Sequence, residues 1–169
     1  MTQTHVVEVA YEAIQGHLDR ETTVSLGSVR ARDFQRAAAA IGDLNPVYLD
    51  DEAARAAGHL ACVAPPGYLS AVLAWGWGPP EADLRPDGVV PETLADAPVD
   101  GLRLMGAGQE LTFHQDLRDG MQVQMTTRIH DVKMKEGTDG PFLILRISRS
   151  YVDEAGTPIL ECLESFIGK

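Results

Sequence analysis

Four extended runs in the last third of the chain constrain its fold more than anything before them. Leu102 to Leu117, Gln122 to Lys133, Phe142 to Val152 and Pro158 to Ile167 are separated by the turn sequences RDG, KEGTDG and DEAG. Isoleucine, valine, threonine, phenylalanine and tyrosine recur in them, and such side chains fit a pleated surface. The turns between the last three runs are of hairpin length, so these strands form an antiparallel meander. Such a sheet needs cover for its apolar face. The segment GYLSAVLAWGW, from Gly67 to Trp77, is apolar nearly all round, and a helix without a polar face is a buried one. It predicts a central helix, opened by Pro65 and Pro66 and ended by Gly76 and Gly78. The expected fold class is α+β, an antiparallel sheet wrapped around that helix.

The remaining segments fit one domain spanning 1–169. Thr23 to Val29 alternates briefly and predicts an edge strand, after a weakly patterned start. Arg32 to Ile41 places Phe34, Ala37, Ala38 and Ile41 on one face of a helix that Gly42 ends. A turn follows, because Pro46 restricts Asn45 to extended conformations and the side chains of Asp43 and Asn45 can fold back on their own backbone. A short helix from about Asp51 to Ala57, capped by Asp50 and closed by Gly58, comes next. Between Pro79 and Gly101 the composition shifts to Pro, Asp, Glu and Gly, which reads as a long surface excursion.

Composition narrows the function. Hydrophobic residues are 44% and charged residues 23% of the chain, the balance of an ordinary globular protein. With 25 acidic and 14 basic side chains the formal charge is −11, so the surface repels nucleic-acid phosphates and anionic lipid. A phosphorylated ligand such as coenzyme A then needs a local basic cluster. No segment approaches the length of a membrane span, and the first residues lack the pattern of a leader, so a cytoplasmic protein is expected. Cys62 and Cys162 sit in apolar runs without a histidine partner and read as core thiols. The histidines are too scattered for a zinc site, and no phosphate loop or dinucleotide fingerprint occurs, so neither metal nor cofactor is expected.

The order of elements, with the strings IGDLNPVYLDDEAARAAG and VAPPGYLSAVLAWG, resembles the MaoC-like dehydratases and (R)-specific enoyl-CoA hydratases of the hot-dog superfamily. The likeness is to the branch described as fatty-acid-synthase-type dehydratase N-terminal domains, and it covers roughly Ser25 to Ile167. It implies a hot-dog fold that pairs into a double hot dog, and reversible hydration of a trans-2-enoyl thioester to a (R)-3-hydroxyacyl thioester. In that family an aspartate in the Gly-Asp-x-Asn-Pro turn and a histidine five residues later activate one water. A base takes a proton from the water, and an acid supplies one to the alpha carbon. A backbone N–H at the start of the central helix stabilises the thioester oxygen.

Carried onto this chain, the resemblance assigns the reactive carboxylate to Asp43. Asn45, Pro46, Pro66, Gly67 and Tyr68 become the neighbouring substrate-binding positions. The residue five beyond Asp43 is Tyr48, and a phenol with an ordinary pKa near 10 does not replace an imidazole near 6.5 as a base at neutral pH. The family's Ala-His-Gly is here Ala64-Pro65-Pro66, and proline has no N–H to give an oxyanion. Both departures point to a substrate-binding, non-catalytic subunit whose partner, a second hot-dog subunit, completes the reaction on an acyl-CoA or acyl-carrier thioester. Two alternatives stay open: a self-sufficient homodimeric hydratase built on Asp43, and a non-enzymatic acyl-thioester binder. A thioesterase is disfavoured because the apolar helix carries no carboxylate, Ser70 being its one hydroxyl besides Tyr68. His59, close in sequence to the expected pocket, is a candidate replacement for the missing imidazole. His114 and His130 fall on strands.

Overall fold

The computed structural model describes residues 3–75, 80–86 and 94–169. Five strands form one antiparallel sheet: β1 (Glu21–Ser28), β2 (Leu104–Phe113), β3 (Gln122–Gly137), β4 (Gly140–Val152) and β5 (Pro158–Gly168), in the order β1-β3-β4-β5-β2. The expected meander is present as β3-β4-β5, and β1 is an edge strand as its alternation predicted. β4 lies at the centre and explains the period. Leu143, Leu145, Ile147, Arg149 and Tyr151 alternate onto one buried face, as successive side chains of a strand must.

That face carries two apolar halves. In one, Ile129, Val132, Leu143, Leu145, Ile147 and Phe166 pack beneath a helix at the start of the chain, α1 (Gln3–Gln15), through Val7, Ala10 and Ile14. In the other, Val123, Tyr151, Leu160 and Cys162 pack against Phe34 of α2 (Ala31–Ile41) and against Tyr68 and Leu69. Between them runs a polar seam of Thr127, Arg149 and Glu164, one residue from each of β3, β4 and β5. Thr127 and Arg149 are 4% and 7% exposed, and the Arg149 guanidinium donates to the Glu164 carboxylate.

Three expectations need correction. The start of the chain is a helix, and its spacing of three and four residues buries Val7, Ala10 and Ile14. The apolar segment read as a long central helix makes one α turn, α5 (Tyr68–Ala71), and then a 3₁₀ turn over Leu73–Trp75. The α geometry breaks at Val72, whose φ of −123° leaves the helical region and whose side chain is 46% exposed. Gly76 and Gly78, read as the end of that helix, lie outside the described residues. The stretch read as a surface excursion is exposed from Pro80 to Leu84 but returns to the core, where Leu94, Ala97 and Val99 join the α1 half. Arg85 ties the two parts together by donating to the Leu102 carbonyl at 2.7 Å. No helix among the described residues is long and apolar enough to cross a membrane.

Candidate functional site

The turn after α2 is built from its own sequence. Gly42 adopts φ 77°, the left-handed conformation that ends a helix, and its N–H bonds the last carbonyls of α2. The Asp43 carboxylate accepts the Asn45 N–H at 3.4 Å, and the Asn45 side chain accepts the Val47 N–H at 3.2 Å. Asn45 thereby caps α3 (Pro46–Leu49), with Pro46 at the first helical position. This winding leaves Asp43, Asn45 and Pro46 exposed and turns Tyr48 inward to 8% exposure, against Ala38 and Val63. Gln35 reaches across from α2 to the Tyr48 carbonyl at 3.2 Å. Burial raises the pKa of the Tyr48 phenol, the Asp43 charge raises it further, and a hydrogen bond with Asn45 opposes them. At neutral pH the phenol is a proton donor and no base.

Tyr48 opens onto a cavity of about 430 Å³, walled by Val63, Pro66, Leu69, Leu117, Ile159 and Leu160. Of the catalytic and substrate-binding positions that the resemblance assigned, Tyr48 and Pro66 line it, and so does the candidate His59. Asp43, Asn45 and Pro46 stand on the neighbouring turn and are not among its lining residues. Gly67 is exposed at the start of α5. Tyr68 is buried in the core instead, its ring edge-on to Phe34 with centroids 6.0 Å apart, and burial raises its pKa.

The polar part of the lining comes from two segments far apart in sequence. One begins after α4 (Asp51–Ala56), which Asp50 caps through the Ala53 N–H at 2.8 Å. Gly58, at φ 98°, turns the chain there, and His59 follows with its N–H on the Ala54 carbonyl at 3.0 Å. The second is the stretch after β2, where His114, Gln115 and Asp116 line the cavity. The segments are stitched together beside the cavity. Ala64 donates to the Leu117 carbonyl at 2.8 Å, Val63 bridges Arg118, and the Asp51 carboxylate accepts the Cys62 N–H at 2.9 Å. They hold His59 Nδ1 at 2.8 Å from an oxygen of the Asp116 carboxylate.

Reading the sequence flagged His59 but missed Asp116. The available signal was the polar string His-Gln-Asp directly after the apolar end of β2. His114 sits 3.5 Å from Glu161, and His130 is exposed on β3. Cys62 and Cys162 are buried, and burial raises the pKa of both thiols, so neither is poised as a thiolate nucleophile. Among the described residues no group of three or more His, Cys, Asp or Glu is placed to hold a metal ion.

A five-stranded antiparallel sheet, helices over one face and a Gly-Asp-x-Asn-Pro turn beside an apolar cavity define a hot-dog protein of the MaoC-like type. The chain belongs to the family described as FAS1-like, dehydratase domain region, whose model matches residues 14–162. It is 39% identical over 93 residues to the 3-oxo-4,17-pregnadiene-20-carboxyl-CoA hydratase alpha subunit of Mycobacterium tuberculosis, a match covering 55% of this chain and 29% of that relative. A UPF0336 protein of Streptomyces avermitilis is 26% identical over 144 residues, or 85% of this chain and 84% of that one. Among solved structures, the ChsH1-ChsH2 complex from Mycobacterium tuberculosis superposes with TM-score 0.68 at 25% identity, covering 98% of this chain and 92% of that one. The C-terminally truncated HadBC (3R-hydroxyacyl-ACP dehydratase) complex from the same organism gives TM-score 0.65 at 18% identity, with 88% and 96% covered.

Proposed function

We propose that this chain is the substrate-binding subunit of a two-subunit acyl-thioester hydratase or dehydratase. A second hot-dog subunit supplies the aspartate and histidine that act on water, and the pair interconverts trans-2-enoyl and (R)-3-hydroxyacyl thioesters in the cytoplasm. One observation carries this reading: the position that should hold the family's imidazole is Tyr48, buried, with its phenol pKa raised. Hydration needs a group that accepts a proton from water at neutral pH, and this one keeps its own.

The rest of the geometry suits binding better than catalysis. Asp43 spends its carboxylate on the Asn45 N–H and lies outside the cavity lining. The cavity's walls are mainly aliphatic, as an acyl chain requires. A division of labour also agrees with relatives named as alpha subunits of hydratases and with structural neighbours solved as complexes of two proteins.

The test is an assay of the purified chain with trans-2-enoyl-CoA substrates, alone and mixed with a hot-dog protein from the same genome that carries both aspartate and histidine. Hydration is expected only in the mixture. Efficient hydration by the chain alone would overturn the reading. If Asp43→Asn then abolished that activity, the self-sufficient homodimer would take its place.

A further inference from the structure

We infer that the His59–Asp116 pair is a recognition site for a hydroxyl group on the ligand, so that this cavity selects hydroxylated acyl groups over plain ones. The inference rests on reading the cavity as an acyl-thioester site and adds which acyl group it favours.

Besides Tyr48, whose phenol is hydrogen-bonded with Asn45, four polar side chains line a cavity that is otherwise mostly aliphatic, and two of the four are engaged elsewhere. Gln115 Nε2 is within bonding distance of the Asp153 carboxylate at 3.3 Å and of the Thr157 and Pro158 carbonyls at 3.4 and 3.1 Å. His114 Nε2 lies 3.5 Å from Glu161. His59 and Asp116 have each other and no second side-chain partner among the described residues. Their side chains are 30% and 41% exposed, so a ligand can reach them.

The chemistry of the pair sets its preference. An imidazole nitrogen facing a carboxylate carries the proton between them, so in the neutral ring Nδ1 holds hydrogen and Nε2 has a free lone pair. In that form the nitrogen accepts a hydrogen bond, and the second carboxylate oxygen accepts one whichever form the ring takes. A hydroxyl can donate to either, whereas a carbonyl can donate to neither. A purely hydrocarbon chain laid over the pair strips water from both acceptors and returns nothing. Backbone hydrogen bonds anchor both segments: the His59 N–H is bonded to the Ala54 carbonyl, and Asp116 precedes Leu117, whose carbonyl accepts from Ala64. The pair therefore meets the ligand already oriented, without the cost of ordering it.

Two sources of hydroxyl fit this chemistry, the 3-hydroxyl of the hydration product and a hydroxyl farther along the acyl group. Calorimetric titration of the full chain with decanoyl-CoA, (R)-3-hydroxydecanoyl-CoA and ω-hydroxydecanoyl-CoA separates them. One hydroxylated ligand is expected to bind about tenfold tighter than decanoyl-CoA, a gain typical of a hydrogen bond to an ionised or polarised partner. That preference, taken as the ratio of the hydroxylated to the plain ligand's affinity in the same variant, should vanish in His59→Phe and weaken in Asp116→Asn, which keeps the volume of the site. Thermal unfolding of each variant establishes that it is folded. Equal affinity for all three ligands, or a preference that survives both substitutions, overturns the inference and leaves the thioester reading standing. Absence of binding by every ligand, decanoyl-CoA included, overturns both.

Discussion

Arg149 and Glu164 form an ion pair on the covered face of the sheet, between the two apolar halves of the core. A charge there is tolerated because it is matched, and removing one partner leaves the other with a desolvation cost. Glu164→Leu is therefore expected to destabilise the protein by about 3 kcal/mol in urea unfolding. Replacing both residues by leucine should cost less than either single change, a sign reversal that simple loss of packing does not produce.

Asp131 gives the pH dependence. Arg146 donates to both of its oxygens, through Nε at 2.8 Å and through Nη2, and Lys133 adds a charge at 3.3 Å. Led by the Arg146 hydrogen bonds, these hold the Asp131 carboxyl down to about 2 from its ordinary 3.8. A carboxylate with a depressed folded pKa stabilises the fold above its unfolded value, and that contribution drains away as pH falls from about 4 to about 2. It amounts to at most about 2 kcal/mol. Asp131→Asn should remove it at pH 7 and flatten the loss of stability between those limits, measured by denaturant unfolding across the series.

Tyr48 separates a packing role from a chemical one. If its phenol takes no part in proton transfer, Tyr48→Phe should leave kcat of the assembled enzyme within about twofold and add no new limb to the pH–rate profile. Tyr48→Ala removes a ring that packs on Ala38 and Val63. It should cost about 3 kcal/mol of stability and weaken acyl-CoA binding. A large drop in kcat for Tyr48→Phe, with binding unchanged, would make the phenol a catalytic group.

Phe34 joins α2 to α5 by its edge-on contact with Tyr68 and is fully buried. Phe34→Ala is expected to lower stability by about 4 kcal/mol, read as a reduced urea midpoint with an unchanged slope. Phe34→Leu should recover more than half of that, since most of the loss is volume.

What could be read from the sequence was whatever the chain decides locally. The β3-β4-β5 meander was visible because alternation and turn residues agree, and the Asp43–Asn45 turn because each side chain bonds a backbone N–H two residues on. The face of α2 was legible at Phe34 and Ala38. It failed at Ile41, which is 73% exposed in the last position before Gly42. α1 escaped notice because Val6, Val9, Tyr11 and Ala13 blur the stripe of Val7, Ala10 and Ile14 that is buried, and valine is a weak helix former. α5 erred the other way, since an unbroken apolar run specifies burial but not the turn at which a helix stops. His59 and Asp116, 57 residues apart in sequence, meet only because the strand and loop pairings bring them together. The seam of Thr127, Arg149 and Glu164 likewise depends on strand register, which no single strand reveals.

The docking of α1 separates the folding unit from the family's recognisable span. The match begins at residue 14, yet Val7 and Ala10 are already part of the core over Leu143, Leu145 and Ile147. A protein started at residue 14 keeps the signature turn and the cavity but uncovers an aliphatic strip of sheet, and such strips drive self-association. Expression boundaries for this chain are better set by where the sheet is covered than by where the likeness starts.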